Sequence, residues 1–131
     1  MTAATYLDSS AIVKLVTAEP ESAALRHYLR RRRLRVSSAL ARTEVRRAVM
    51  PDGDVALARA TRALAGIELM RLSSHVLDLA GTLLPLELRS LDAVHLATAH
   101  RYGDHLRVVV TYDERMAVAA EQLGLRTAAP A

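Results

Sequence analysis

The sequence predicts a single α/β domain over residues 1–131, with a parallel sheet of four to five strands and helices on both of its faces. Short apolar segments alternate with amphipathic segments along the whole chain, and this alternation is typical of strand–helix–strand units in parallel sheets. The chain has 131 residues, which is the length of one domain and enough to bury a core without disulfides.

The first half of the chain begins with a β-compatible apolar segment over residues 4–7. It ends at Asp8-Ser9-Ser10, three residues that favour the N-terminus of a helix. Pro20 and Pro51 mark later breaks, because proline cannot continue a helix. The pattern predicts helices over residues 11–16, 21–32 and 39–50, with a short strand over residues 34–37.

The second half continues the alternation, and Gly66, Gly103 and Gly124 stand where helical patterns end. The run Val108-Val109-Val110 is typical of a buried parallel strand. Ser74, Ser90 and Asp113 are expected to cap helices. Helices are predicted over residues 55–65, 75–84, 91–102 and 114–123, and strands over residues 67–72, 107–111 and 125–127.

The composition excludes several kinds of site. There are no cysteines, so disulfides, thiolate zinc sites and cysteine nucleophiles are ruled out. The absence of cysteine is consistent with a reducing cytoplasm. Aromatic residues make up 3% of the chain, which argues against the base-stacking surfaces of many single-strand binders. The N-terminal segment does not resemble a signal peptide, and no apolar run is long enough to span a membrane. A cytoplasmic location is therefore expected.

The charge balance favours a nucleic-acid partner. Eighteen basic residues against fourteen acidic ones give a net charge of +4, and every basic residue except Lys14 is arginine. Two clusters are candidate contacts to RNA phosphates: Arg30, Arg31, Arg32 and Arg33, and then Arg42, Arg46 and Arg47. The alternative for the first cluster is a cationic turn that complements the dipole at the end of a helix.

Four carboxylates are expected at one edge of the sheet. Asp8 and Asp113 follow predicted strands, Asp92 lies in the first turn of a helix, and Glu44 lies on the helix after the second strand. Ligands of open parallel sheets bind at the carboxyl ends of the strands. Each acid alone could be a helix cap or a surface ion pair, but together they form a candidate metal centre.

Oxygen ligands without cysteine indicate Mg²⁺, with Mn²⁺ as a substitute. A divalent cation would offset the mutual repulsion of the acids and suits phosphodiester hydrolysis on a basic protein.

His95 follows Asp92 by three residues and could orient that carboxylate. A packed or surface histidine without a catalytic role is the simpler interpretation of His95.

Four segments resemble, in order and at matching spacing, the motifs of PIN domains. The first motif is Asp8-Ser9-Ser10-Ala11-Ile12-Val13-Lys14-Leu15, and the second is Ser37-Ser38-Ala39-Leu40-Ala41-Arg42-Thr43-Glu44-Val45. The third is Ser90-Leu91-Asp92-Ala93-Val94-His95-Leu96-Ala97, and the fourth is Thr111-Tyr112-Asp113-Glu114-Arg115-Met116. The short chain and the residues of these motifs are most similar to those of the VapC toxins of bacterial type II toxin–antitoxin systems.

This resemblance implies a Mg²⁺-dependent ribonuclease of α/β/α architecture. It implies Asp8, Glu44, Asp92 and Asp113 as the acidic catalytic and metal-binding site, with the hydroxyls of Ser9 and Thr111 supporting them. It also implies a homodimer and a small cognate antitoxin that fills the site. The alternatives are a PIN-fold nuclease with another nucleic-acid role, and a catalytically silent module that binds RNA or protein.

Overall fold

Five parallel strands form one sheet in the computed structural model, which describes residues 3–131. Met1 and Thr2, and with them the start of the predicted domain and of the N-terminal segment, lie outside the described residues. The strand order is β3-β2-β1-β4-β5, and every neighbouring pair is parallel. The strands are β1 (Ala4–Leu7), β2 (Arg35–Ser38), β3 (Glu68–Met70), β4 (Leu106–Val110) and β5 (Thr127–Ala128).

Helices connect each strand to the next. They are α1 (Ser9–Val16), α2 (Ser22–Leu29), α3 (Ala41–Val49), α4 (Asp54–Ala65), α5 (Ser74–Ala80), α6 (Ser90–His100) and α7 (Glu114–Gln122). Two 3₁₀ turns, Met50–Asp52 and Gly103–His105, complete the connections. No helix in residues 3–131 is long and apolar enough to cross a lipid bilayer.

Both faces of the sheet are buried, as strands in such a sheet require. On one face Leu7 and Val110 pack with buried residues of α1, α2, α3 and α4. On the other face Tyr6 and Val109 pack against Ala99 of α6, which α5 and α7 flank. The side chains alternate because successive residues of a strand point to opposite faces.

The strand order places a crevice between β1 and β4. The chain builds the sheet outward from β1 to β2 and β3, and then returns to add β4 on the other side of β1. Helices after β1 and β4 therefore leave the sheet in different directions, and ligands of such folds bind at this switch point. The backbone N–H of Asp8 donates to the carbonyl of Val110 at 3.2 Å, which holds the two strand ends together.

The predicted α/β class, parallel sheet and helix-covered faces are confirmed, whereas some boundaries were wrong. The helix predicted over residues 75–84 ends at Ala80, and Ser73, not Ser74, caps it by accepting from the N–H of Val76. Ser90 is the first residue of α6 and caps nothing, because the extended residue before the helix is Arg89. The last strand lies at Thr127–Ala128, where it pairs with β4.

Candidate active site

A cleft of about 180 Å³ opens at the carboxyl ends of β1 and β4. Four places in the fold bring the predicted acids to it: the residues after β1, the residues after β4, the first turn of α3, and the first turn of α6. Its lining consists of Asp8, Ser9, Ser10, Glu44, Arg89, Asp92, His95 and Asp113. The structure thus brings together the four acids that the sequence places at one edge of the sheet.

Asp8 is the most deeply buried of the four acids, with 3% of its surface exposed. Its Oδ1 accepts from the N–H of Ala11 at 3.0 Å and from the Ser10 hydroxyl at 2.6 Å, so it caps α1 and also faces the cleft. Burial raises the pKa of Asp8 above its ordinary value, although its hydrogen bonds and the nearby His95 oppose the shift. A cation in the cleft would favour the charged form of this carboxyl.

Two hydroxyls fix the ends of β1 and β4 relative to each other. Thr111 is buried; its Oγ1 donates to Asp8 Oδ2 at 2.5 Å and accepts from the N–H of Asp113 at 3.1 Å. Ser10 Oγ, which donates to Asp8, accepts from the N–H of Tyr112 at 3.1 Å. The orientation of Asp8 therefore depends on side chains from both strand ends.

Glu44 is held by His95 and Ser9. His95 Nε2 lies 2.6 Å from Glu44 Oε1, and Ser9 Oγ donates to the same oxygen at 2.6 Å. His95 is 2% exposed, and its Nδ1 lies 2.7 Å from the hydroxyl of Tyr6 in the core. A carboxylate only accepts hydrogen bonds, so Nε2 carries the proton that faces Glu44. Both contacts fall on Oε1, so Oε2 takes no part in them.

The pKa values of Glu44 and Tyr6 are shifted in opposite directions. Burial would raise the pKa of Glu44, but the hydrogen bonds from His95 and Ser9 and the charges of His95 and Arg89 outweigh it and lower this pKa. Burial raises the pKa of Tyr6 well above its ordinary value. Glu44 is therefore an anion at neutral pH, while the Tyr6 hydroxyl remains protonated.

Asp92 and Asp113 share one cation, Arg89. Arg89 Nε lies 3.1 Å from Asp92 Oδ2, and its Nη2 lies 3.1 Å from Asp113 Oδ2. The other oxygen of Asp113 caps α7, since Oδ1 accepts from the N–H groups of Arg115 and Met116. These two carboxylates are more exposed than Asp8, at 17% and 26% of the side chain.

The donor set of the cleft fits a hard divalent cation, because it consists of carboxylate oxygens without thiolates. Within residues 3–131, however, no three His, Asp or Glu side chains already stand in positions to ligate one ion. Arg89 binds two of the acids, and Ser9 and His95 bind a third. The residue types of the cleft therefore match a metal centre, while in this structure their oxygens are engaged by other side chains.

The two arginine clusters lie in different places. Arg30–Arg33 follow α2 and precede β2, so they lie at the amino edge of the sheet, opposite the cleft. Arg32 stacks on the ring of Tyr28, with the guanidinium 3.8 Å from the ring centre. Arg42 and Arg47 are exposed on α3, the helix that carries Glu44. Arg46 of that helix donates to the carbonyl of Arg42 and to the hydroxyl of Thr61.

Comparison with known proteins shows the family to which the chain belongs. The family model for the PIN domain matches residues 5–122. The chain is 60% identical to Ribonuclease VapC46 of Mycobacterium tuberculosis over 128 residues, which cover 98% of each chain. The chain therefore belongs to the PIN domain family, and within it to the VapC ribonucleases.

Other VapC proteins support the same assignment. Ribonuclease VapC47 of Mycobacterium tuberculosis is 38% identical over 130 residues, covering 95% of this chain and 96% of VapC47. The crystal structure of Mycobacterium tuberculosis VapC20, described as a toxin that cleaves the sarcin–ricin loop, superimposes with a TM-score of 0.72. That match covers 88% of this chain and 94% of VapC20 at 14% identity, so it shows the shared fold.

Three residues of this VapC cleft were missed or undervalued by sequence reasoning. Arg89 was not predicted to be a residue of the site. It precedes Asp92 by three residues, and this spacing is typical of an ion pair within one helical turn. Ser10 was not assigned a role beside Asp8. Of the simpler interpretations of His95, the surface histidine was wrong and the packed histidine is incomplete, because His95 is buried and also contacts Glu44 in the cleft.

Proposed function

We propose that this VapC ribonuclease is a Mg²⁺-dependent endoribonuclease that acts as the toxin of a toxin–antitoxin pair. The observation that carries the proposal is the single cleft lined by Asp8, Glu44, Asp92 and Asp113. Asp8 and Asp113 meet because they follow adjacent parallel strands, but that topology does not require Glu44 and Asp92 to line the same cleft, whereas a metal-dependent nuclease needs all four there. The alternative of a silent binding module gains no support, since all four acids are present.

The four carboxylates would hold the cation, with Mn²⁺ as a substitute for Mg²⁺. When bound, the ion would polarise the scissile phosphate and lower the pKa of the attacking water. Asp8 is kept in place by Ala11, Ser10 and Thr111, so its orientation does not depend on the ion. Preorganised ligands of this kind cost little reorganisation when the substrate arrives.

Glu44 is the acid best placed to orient a water. Glu44 lines the cleft, and its Oε1 is held by Ser9 and His95 while Oε2 takes no part in these contacts. The lowered pKa keeps Glu44 ionised, and an ionised carboxylate accepts a proton or a hydrogen bond from water. His95, anchored in the core by Tyr6, holds Glu44 in this orientation.

The partners follow from the charge of the site. RNA brings phosphates to the cation, and the exposed Arg42 and Arg47 lie on the helix that carries Glu44, where they can contact the RNA backbone. A small cognate antitoxin would block the cleft by presenting an arginine, because a guanidinium pairs strongly with carboxylates. We further propose that the protein is a homodimer and works in the cytoplasm, where its RNA substrates are.

The test of the nuclease proposal is cleavage of RNA by purified protein that has been freed of any antitoxin. We expect a susceptible RNA to be cut with Mg²⁺ or Mn²⁺ and to stay intact with EDTA. The Asp92→Asn variant, purified in the same way, controls for a contaminating nuclease and should be inactive. Cleavage that survives complete chelation, or that the variant retains, would overturn the mechanism.

The toxin proposal has its own test. Co-expression with the small reading frame adjacent to the gene should relieve growth inhibition, and the two proteins should purify as a complex. Adding the partner to the nuclease should stop cleavage. No association at micromolar concentrations would contradict the toxin role while leaving the nuclease activity in place.

A further inference from the structure

Arg89 occupies an unusual position for an exposed arginine. Its side chain is 68% exposed, yet its guanidinium joins two acids of the cleft that come from different parts of the chain. Asp92 is three residues away on α6, whereas Asp113 is 24 residues away and caps α7. One cation therefore spans the two acids through two separate nitrogen atoms, Nε and Nη2.

We infer that Arg89 is the internal counter-ion of the metal-free site, and that it moves from these carboxylates to a substrate phosphate when the divalent cation binds. This inference rests on the proposed function, because it requires that the cleft binds a metal. Arg89 then has two alternative partners: the acids in the metal-free protein, and a phosphate of RNA in the protein that has bound the cation.

The counter-ion role of Arg89 follows from the charges in the cleft. Four carboxylates in one cleft repel each other, and Arg89 supplies one positive charge against that repulsion. A divalent cation supplies two charges to the same oxygens, so it competes with the guanidinium. In the structure Oδ2 of both Asp92 and Asp113 is engaged by Arg89, and within residues 3–131 no three acids stand ready for an ion.

The proposed contact of Arg89 with a phosphate follows from the position of Arg89 beside the cleft. It directly precedes α6, and a second opening beside the cleft is lined by Glu44, Arg89, Ser90, Leu91 and Asp92. A guanidinium released from the acids stays at the mouth of the cleft, where an RNA backbone must pass to reach the acids. Its planar fork of N–H donors matches phosphate oxygens as well as it matches carboxylates.

The competing explanation is that Arg89 is only a surface ion pair that ties α6 to the start of α7. The two explanations predict opposite effects on metal binding. A structural tie keeps the acids in place, so losing it would weaken the binding of an ion. A counter-ion competes with the ion, so losing it would strengthen that binding.

The first experiment titrates Mn²⁺ into the RNA-free protein by calorimetry or electron paramagnetic resonance. We compare wild type, Arg89→Gln, Arg89→Lys and the control Arg62→Gln, which removes one charge from an exposed position near the opposite edge of the sheet. We expect Arg89→Gln to bind Mn²⁺ roughly 2- to 10-fold more tightly, from the modest strength of exposed ion pairs. Arg62→Gln should match wild type, and Arg89→Lys should fall between.

The second experiment measures the binding of a short single-stranded RNA across a salt series, with Ca²⁺ to avoid turnover and separately with EDTA. With Ca²⁺, Arg89→Gln should bind more weakly than wild type, and its salt slope should fall by about 0.7, the value for one lost phosphate contact. With EDTA, where Arg89 is bound to the acids, the two proteins should show the same slope.

The outcomes separate this inference from the function on which it rests. Unchanged or weaker Mn²⁺ binding in a folded Arg89→Gln protein overturns the counter-ion role while leaving the metal centre intact. A Ca²⁺ salt slope equal to that of wild type overturns the phosphate role. Wild-type protein that binds no Mn²⁺ overturns the proposed metal centre, and the inference falls with it.

Discussion

Nε2 of His95 and Oε1 of Glu44 lie 2.6 Å apart, although 51 residues separate them in the chain. The contact joins the buried face of α6 to the first turn of α3. On its other side the imidazole is anchored by Tyr6 in the centre of the sheet. A residue of the core thus sets the orientation of an acid of the site.

Replacing His95 with Leu should damage both the fold and the site. The hydroxyl of Tyr6 loses its His95 partner and Glu44 loses one of its two donors, so the free energy of unfolding should fall by about 1–3 kcal/mol. His95→Gln keeps an N–H that can reach Glu44 and should recover part of the Mn²⁺ affinity. Denaturant unfolding and Mn²⁺ titration measure the two effects.

Tyr6→Phe is the matched control, because it leaves Nδ1 of His95 without the Tyr6 hydroxyl but keeps the contact to Glu44. It should lose stability while retaining most of its Mn²⁺ affinity. Equal Mn²⁺ affinity in His95→Leu and Tyr6→Phe would mean that His95 only packs the core.

Replacing Asp92 with Asn tests the metal centre through stability. The variant keeps the shape and removes one negative charge from a crowded cleft, so in EDTA it should melt at an equal or higher temperature than wild type. Wild type should gain about 2.7 kcal/mol at Mg²⁺ concentrations 100-fold above its dissociation constant, and the variant should lose most of that gain. RNA cleavage should fall by more than about 100-fold. A variant that melts lower in EDTA and still cleaves RNA would make Asp92 a structural residue.

Thr111→Val should disturb Asp8 and Asp113 together. The buried hydroxyl donates to one and accepts from the N–H of the other, so its loss leaves two polar groups without this partner. We expect a loss of about 1–3 kcal/mol in the free energy of unfolding and a weaker response to Mn²⁺. Thr111→Ser keeps the hydroxyl and should restore the metal response; if it does not, the methyl packing of Thr111 is what matters.

The two arginine clusters should differ in their effect on RNA binding. Arg42 and Arg47 share a helix with Glu44, whereas Arg30 and Arg33 lie at the opposite edge of the sheet. The double variant Arg42→Gln/Arg47→Gln should reduce the salt slope by about 0.7 for each lost phosphate contact. Arg30→Gln/Arg33→Gln removes the same charge and should reduce the slope less. The reverse order would place the RNA path along the amino edge of the sheet.

Asp8 should make stability depend on pH in a direction opposite to that of most carboxyls. Burial raises its pKa in the folded state, so the folded protein binds this proton more tightly than the unfolded chain does. Its contribution to stability is therefore present below the unfolded pKa and is lost as the pH rises through the folded pKa. Glu44, with a lowered pKa, contributes stability that is lost as the pH falls through its folded pKa.

Asp8→Asn removes the pH-dependent contribution of Asp8 to stability, because asparagine can still cap α1 but does not titrate. In EDTA, the stability of the variant relative to wild type should improve as the pH rises above about 4, the ordinary pKa of aspartate. Denaturant unfolding at several pH values gives the difference directly. A difference that does not change with pH would mean that burial has not shifted Asp8.

Much of this molecule could be predicted from local patterns. The alternation of apolar and amphipathic segments indicated the parallel sheet, since side-chain periodicity is a local property of strands and helices. Asp8 and Asp113 were predicted at one edge because strands of a parallel sheet all end on the same side. The sequence by itself therefore determined the fold class and the residues from which a site could be built.

Only the tertiary structure decided how those residues are held. The contact of His95 with Glu44 joins two helices, and the contact of Arg89 with Asp113 crosses from the start of α6 to the end of β4. No helical or strand period relates such positions, so no local pattern reveals them. The separation of the arginine clusters also became visible only when α2 and α3 were placed on the sheet. Contacts between elements depend on the packing of the whole core, and that packing is a property of the folded chain rather than of any segment.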